Sequence, residues 1–98
     1  MTKAEIVEQI AQMTGLTKTD TALVVEGMIE TLKEALVDGK TIEIRGFGTF
    51  KIKERAARRA RNPRTGEPVD IPAKFVPTFK PSRELKDAVA ERNHPSPF

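Results

Sequence analysis

The hydrophobic period of this chain changes between Gly39 and Thr41, and that change constrains its fold more than any other feature. Before it, apolar residues recur every three or four positions; after it, Thr41-Ile42-Glu43-Ile44-Arg45 alternates apolar with polar. The first pattern lays a stripe along a helix, the second a face along a half-buried strand. A chain that carries both patterns combines helices with a strand hairpin.

The helical part divides in two. Thr2-Lys3-Ala4-Glu5 has the form of a capping box, with the Thr2 hydroxyl set for the Glu5 backbone N–H and the Glu5 carboxylate reaching back. Ile6, Val7, Ile10 and Met13 follow at helical spacing, and Gly15 supplies a left-handed stop. Thr17-Lys18-Thr19-Asp20 opens a second, longer helix with apolar positions Ala22, Val25, Met28, Ile29, Leu32 and Leu36, ending at Gly39 as the residue after the cap. The short link implies a helical hairpin. Leu23, Val24 and Val37 lie off the main stripe, so a second face of this helix is expected to be covered, as in a dimer. Ninety-eight residues bury only about 60–70% of their unfolded surface. A partner subunit would supply the missing apolar contact.

After the first strand, Gly46-Phe47-Gly48 reads as a turn whose glycines tolerate positive φ while Phe47 points inward. Thr49-Phe50-Lys51-Ile52-Lys53 alternates again, giving a hairpin with Ile42, Ile44, Phe50 and Ile52 on the core face. Arg55 to Arg61 would be a helix on propensity alone. It continues a strand without a capping residue, however, and runs into the turn cluster Asn62-Pro63-Arg64-Thr65-Gly66. Residues 55–75 therefore read as a two-stranded ribbon with its tip near Pro63. Val76 to Lys80 returns as an edge strand because of Pro77. Pro81-Ser82 opens a last helix with Leu85, Ala88 and Val89 as its stripe, and residues 93–98 are expected to form a tail.

Charge is segregated along this plan. Residues 1–40 hold four Lys against seven carboxylates, a balance of −3; residues 51–64 hold seven basic side chains against Glu54 alone, a balance of +6. A basic run of that density points to a polyanion. Arg alternates with Ala in it, not with Phe, Leu or Trp, which argues against a membrane-surface module. There is no cysteine, so no disulfide framework or thiolate metal site. The single histidine, His94, lies in the Pro-rich tail, and no motif pairs a nucleophile with a base. An enzyme, a metal and a cofactor are therefore not expected. No charge-free apolar run approaches the ~18 residues of a membrane span, and the charged N-terminus is not a signal peptide. The expectation is a cytoplasmic, nucleoid-associated protein.

Gly46-Phe47-Gly48-Thr49-Phe50, Arg61-Asn62-Pro63-Arg64-Thr65-Gly66, Phe79-Lys80-Pro81 and Leu85-Lys86 together resemble the bacterial HU and integration host factor proteins. The resemblance runs from Met1 to about Val89 and is carried jointly by the Gly-Phe-Gly turn and the Arg-Asn-Pro tip. It implies an α+β intertwined dimer: a helical-hairpin body, a small antiparallel sheet saddle, a long basic β-ribbon arm and a C-terminal helix. Residues 1–92 would form one domain, with a dimerisation body over 1–40, a sheet with its arm over 41–80 and the helix over 81–92. The shared core would comprise Val25, Ile29, Leu32, Leu36, Ile44, Phe47, Phe50 and Phe79.

The partner so implied is double-stranded DNA, with bent, nicked or junction forms preferred, held by a homodimer or, as the alternative, a heterodimer. Architectural proteins of this kind enter the minor groove and wedge an apolar side chain into a base step, here Pro63. Arg55, Arg58 and Arg61 would line the arm, and Lys3, Lys80, Arg83 and Lys86 would touch flanking phosphates. Arg45, Lys53, Arg59, Asn62, Arg64 and Lys74 complete the set expected at DNA. Departures from the family pattern are Ala60 before the tip, Ser82 after Pro81, and a more acidic body. Glu43-Ile44-Arg45 is similar to an integration host factor subunit, where such residues take part in sequence preference; the competing reading is a solvent-facing strand pair. A basic arm alone also leaves an RNA-binding role open.

Overall fold

The computed structural model describes residues 1–93. The elements run α1 (Lys3–Thr14), α2 (Lys18–Val37), β1 (Ile42–Ile44), β2 (Gly48–Arg55), β3 (Arg58–Arg61), β4 (Pro68–Ile71), β5 (Lys74–Pro81) and α3 (Arg83–Arg92). The α+β architecture is the one expected. The helix termini lie where the capping residues put them. Thr2 and Thr17 accept from the backbone N–H of Glu5 and Asp20, and Gly15 adopts φ 77°. The Thr2 box closes differently from expectation: the Glu5 carboxylate accepts from the Thr2 hydroxyl at 3.2 Å. At the end of α2, Gly39 N–H donates to Leu36 O and Lys40 N–H to Ala35 O. These two reversed bonds, with Gly39 at φ 76°, satisfy carbonyls that the helix leaves open.

β1, β2 and β5 form an antiparallel sheet in that order, with β2 central and β5 on an edge. Pro77 is thus placed where a missing N–H does least harm. β1 is shorter than the alternation suggests, because Arg45 belongs to the connecting turn. β2 and β5 are longer, each reaching the base of the arm at the pair Arg55 and Lys74. In the turn Gly46 takes φ 81°, as its sequence position requires. Gly48 does not; it begins β2 with no positive φ. Its reason is space. A Cβ there would stand 2.5 Å from both Lys80 O and the Phe79 ring, so only glycine lets β2 and β5 close.

The apolar side of the sheet carries Ile42, Ile44, Phe50 and Ile52, each half-buried. Phe47, Phe50 and Phe79 form a cluster with ring centroids 4.7 to 6.3 Å apart, in the tilted geometry aromatic pairs favour. Phe47 folds toward Phe79 yet stays exposed. α3 is tied to the same hairpin by Ser82, whose hydroxyl donates to Gly46 O and accepts from Leu85 N–H while its own N–H donates to Phe47 O. Asn93, assigned to the tail by sequence, caps α3 through two bonds to Val89 O. The rest of the expected tail, with His94, lies outside the described residues.

A core is what the single chain lacks. Among the described residues only Ala11, Thr21 and Gly48 are buried. The accessible surface is 8639 Å², where a compact monomer of 10.9 kDa exposes about 5,600 Å². Val25, Ile29, Leu32 and Leu36 are half-covered, and Leu23, Val24 and Val37 on the other side of α2 are open. Met13, expected within the α1 stripe, is exposed as well. Between the end of α2 and the sheet, Leu36, Val37, Ile52, Phe75 and Pro77 line an open apolar groove of about 840 Å³.

Candidate nucleic-acid interface

Register decides which basic residues act together. Side chains directly opposite in an antiparallel pair share a face, and faces alternate along each strand. Ile52 and Pro77 are such a pair, and both face α2 across the groove. The other side of the sheet, away from the helices, must therefore carry Lys51, Lys53 and Arg55 of β2. Their partners Thr78, Val76 and Lys74 share that side, as do Lys80 opposite Thr49 and Glu43 opposite Thr49. Lys51 belongs to this face too, beyond the DNA-binding set expected from sequence, and its alternation with Lys53 is the signal for it.

Basic residues continue into the arm, which is a separate two-stranded sheet. Pairing stops after Arg55 and Lys74 and resumes at Arg58 and Ile71. Two residues are skipped on each strand, Ala56 and Ala57 against Pro72 and Ala73, so no bulge shifts the register. Pro72 has no N–H to offer the ladder, which accounts for the break. Within the arm, Arg59 and Arg61 share one side of β3. Arg58, expected to line the arm with Arg55 and Arg61, falls on the opposite side with Ala60, Val69 and Ile71. The arm is thus amphipathic, basic on one face and largely apolar on the other.

The tip is held by its own backbone and by Asn62. Asn62 N–H donates to Glu67 O at 2.8 Å, and Gly66 N–H to Asn62 O at 2.7 Å. The Asn62 side-chain oxygen accepts from Arg64 N–H at 2.9 Å, a turn that asparagine closes with its own amide. Gly66 takes φ 74°, and Arg61 donates to Gly66 O at 3.0 Å. Asn62 therefore shapes the turn that projects Pro63 and Arg64, both exposed.

Three of the expected cations already have carboxylate partners. Lys3 pairs with Glu26 across the helical hairpin, Arg59 with Asp70 at 2.9 Å across the arm, and Arg83 with Asp87 at 4.0 Å along α3. Arg83 also joins Arg45 and Lys80, with Glu43, Thr49 and Ser82, in lining a cleft of about 330 Å³. It lies beside the N-terminus of α3, where unpaired N–H groups and the helix dipole favour an anion. Ser82 was seen in the sequence as a departure from pattern, but not as the residue that anchors this helix end to the hairpin. Lys86 is exposed one turn further along α3. Among the described residues no group of acids and histidine is arranged to hold a metal, and no helix is long and apolar enough to cross a membrane.

The sequence matches, over residues 1–90, the family described as Bacterial DNA-binding protein. The chain belongs to the HU and integration host factor family. It is 49% identical over 89 residues to the SPbeta prophage-derived DNA-binding protein HU 2 of Bacillus subtilis, covering 91% of this chain and 97% of that one. It is 53% identical over 90 residues to the integration host factor subunit beta of Marinobacter nauticus, covering 91% and 92%. The fold superimposes on HU from an Anabaena HU–DNA cocrystal structure with a TM-score of 0.86 at 38% identity, covering 92% of this chain and 98% of that one. As a member of this family it is an architectural DNA-binding protein and not an enzyme. Its relatives carry both the HU and the integration host factor names at similar identity, so identity alone does not divide the two.

Proposed function

We propose that two copies of this chain interlock through their helical bodies and aromatic clusters, and that the pair bends duplex DNA through the minor groove with low sequence preference. The observation that carries this reading is the run of basic side chains Lys51, Lys53 and Arg55 on one side of β2, followed in the arm by Arg59 and Arg61 and by an exposed proline at the tip. Lys53, Arg55, Arg61 and Lys74 neutralise phosphates or enter the narrow groove, where the potential is most negative. Pro63 at each tip opens a base step and kinks the duplex, as in architectural binders of this family. Bending then brings flanking phosphates to the cleft of Arg45, Lys80 and Arg83. A smooth 40–90° bend costs on the order of 1–6 kcal/mol, so nicked or four-way-junction DNA, in which that cost is already met, binds more tightly. Such a protein works in the bacterial cytoplasm on the nucleoid.

The dimer follows from the missing core. One chain exposes about 3,000 Å² more than a compact monomer of its mass, the projecting arm included, which is enough for each subunit's half of an obligate interface. Val25, Ile29, Leu32, Leu36, Ile44, Phe47, Phe50 and Phe79 supply the shared interior.

Binding measured on a random duplex, a four-way junction and single-stranded RNA across a salt series tests the reading. Junction DNA is expected to bind tightest and RNA weakest, with a log–log slope of about −0.9 per phosphate contacted. Equal weak binding to all three would sink the kinking model.

Glu43 favours a second reading. It stands on the basic face itself and lines the Arg45–Lys80–Arg83 cleft, where a solvent-facing pair would leave no mark on DNA. On this reading the chain is an integration host factor-like subunit, in a homodimer or heterodimer, with genuine site preference. Selection from a random DNA pool separates the two: an enriched motif that is lost in Glu43→Gln supports site preference, and no motif supports the HU-like reading.

A further inference from the structure

Asp70 is the one carboxylate on the Arg59–Arg61 side of the paired strands of the arm. It lies opposite Arg59 on the basic side of the arm, between the ladder break at Pro72 and the tip. Its Oδ1 accepts from Arg59 Nε at 2.9 Å. Both side chains are largely exposed, at 74% and 80%, and a pair so open to water adds little to stability. Among the described residues, Arg59 is the one basic side chain of the arm with a carboxylate within 4.0 Å. Arg61, by contrast, donates to the neutral Gly66 carbonyl.

We propose that Asp70 restrains the arm's sequence-independent grip on duplex DNA by holding Arg59 back from one phosphate. This rests on the DNA-bending reading above and deepens it, by naming a residue that sets how strongly the arm holds any duplex. In the free protein Asp70 cancels one cation of the arm. On DNA, Arg59 has to exchange a well-aligned carboxylate for a phosphate oxygen, and the exchange leaves Asp70 bare on the side that faces the phosphates. Either way the arm gains less than a free Arg59 would give it. The penalty is charge-based, so it falls alike on every duplex sequence.

Fluorescence anisotropy on a random-sequence duplex across a salt series, with the full-length chain, tests this in four proteins: wild type, Asp70→Asn, Arg59→Gln and the double variant. Asp70→Asn is expected to steepen the salt slope by about 0.9 per arm and to tighten binding on the order of two- to fivefold per arm at low salt. Arg59→Gln is expected to lower affinity less in the wild-type background than in the Asp70→Asn background, where it abolishes the whole gain. An equal loss from Arg59→Gln in both backgrounds would overturn the proposal, as would an Asp70→Asn slope equal to that of wild type. Hydrogen exchange at Ala60 and Val69 separates charge from register. Unchanged protection with tighter binding supports the restraint, whereas tighter binding with lost protection overturns it in favour of arm loosening. A wild-type protein that binds no duplex at any salt refutes the DNA-bending reading itself, an outcome none of the variant comparisons can mimic.

Discussion

The helical body and the arm are built on opposite terms. The body's local structure is fully specified by nearby residues: Thr2, Thr17, Gly15 and Gly39 place every helix end, and half-covered stripes run between them. It nevertheless leaves its apolar residues open, because two helices and a three-stranded sheet cannot enclose them. The arm needs no interior. Its two strands keep register through a break at Pro72, and its tip is closed by four hydrogen bonds, two between backbone groups and one each to the Asn62 and Thr65 side chains. What the arm lacks is charge balance. The difference teaches that body and arm each await a different partner, the one an apolar surface and the other a polyanion.

Substitutions that break this comparison fall in order of size. Phe79→Ala removes the ring that meets both Phe47 and Phe50; it is expected to cost about 3–5 kcal/mol of dimer stability. Urea unfolding at several protein concentrations checks it, and a midpoint independent of concentration would show that no core is shared. Gly48→Ala drives a methyl into Lys80 O and the Phe79 ring, with an expected cost of about 1–3 kcal/mol. Gly66→Ala provides the control, since open space surrounds its Cβ and its strain is confined to the tip. A larger fall in the urea midpoint for Gly66 than for Gly48 would overturn the division between body and arm.

The arm variants should act on DNA and spare the fold. Pro63→Ala is expected to reduce the bend angle, read by energy transfer across a labelled duplex, more than it reduces affinity; an unchanged angle would remove the wedge. Lys53→Gln is expected to lower the salt slope by about 0.9 per arm with no shift in unfolding. The smallest effect belongs to Lys3→Gln. Glu26 already holds that ammonium, so the slope should change by less than it does for Lys53. Equal slopes would mean that the pair opens freely on DNA.

The sequence by itself determined the elements. Capping residues, the change of period at Gly39 and the turn cluster at Asn62 act over a few positions, and a chain obeys such local rules without reference to its distant parts. The refusal of a helix for Arg55 to Arg61, against their propensity, rested on the same short-range evidence and agrees with β3. Tertiary structure decided whatever depends on residues far apart in the chain. Which arginines share a face follows from pairing across the ribbon, and it sets Arg58 on the side opposite Arg59 and Arg61. Gly48 is glycine because Phe79 and Lys80, thirty residues on, lie against it. Arg59 and Lys3 count as cations in the sequence and as paired charges in the fold, because the carboxylates that hold them arrive from other strands and helices. Spacing along a chain sets local conformation, but a charge or a methyl group is felt through space, and only the folded chain fixes those distances.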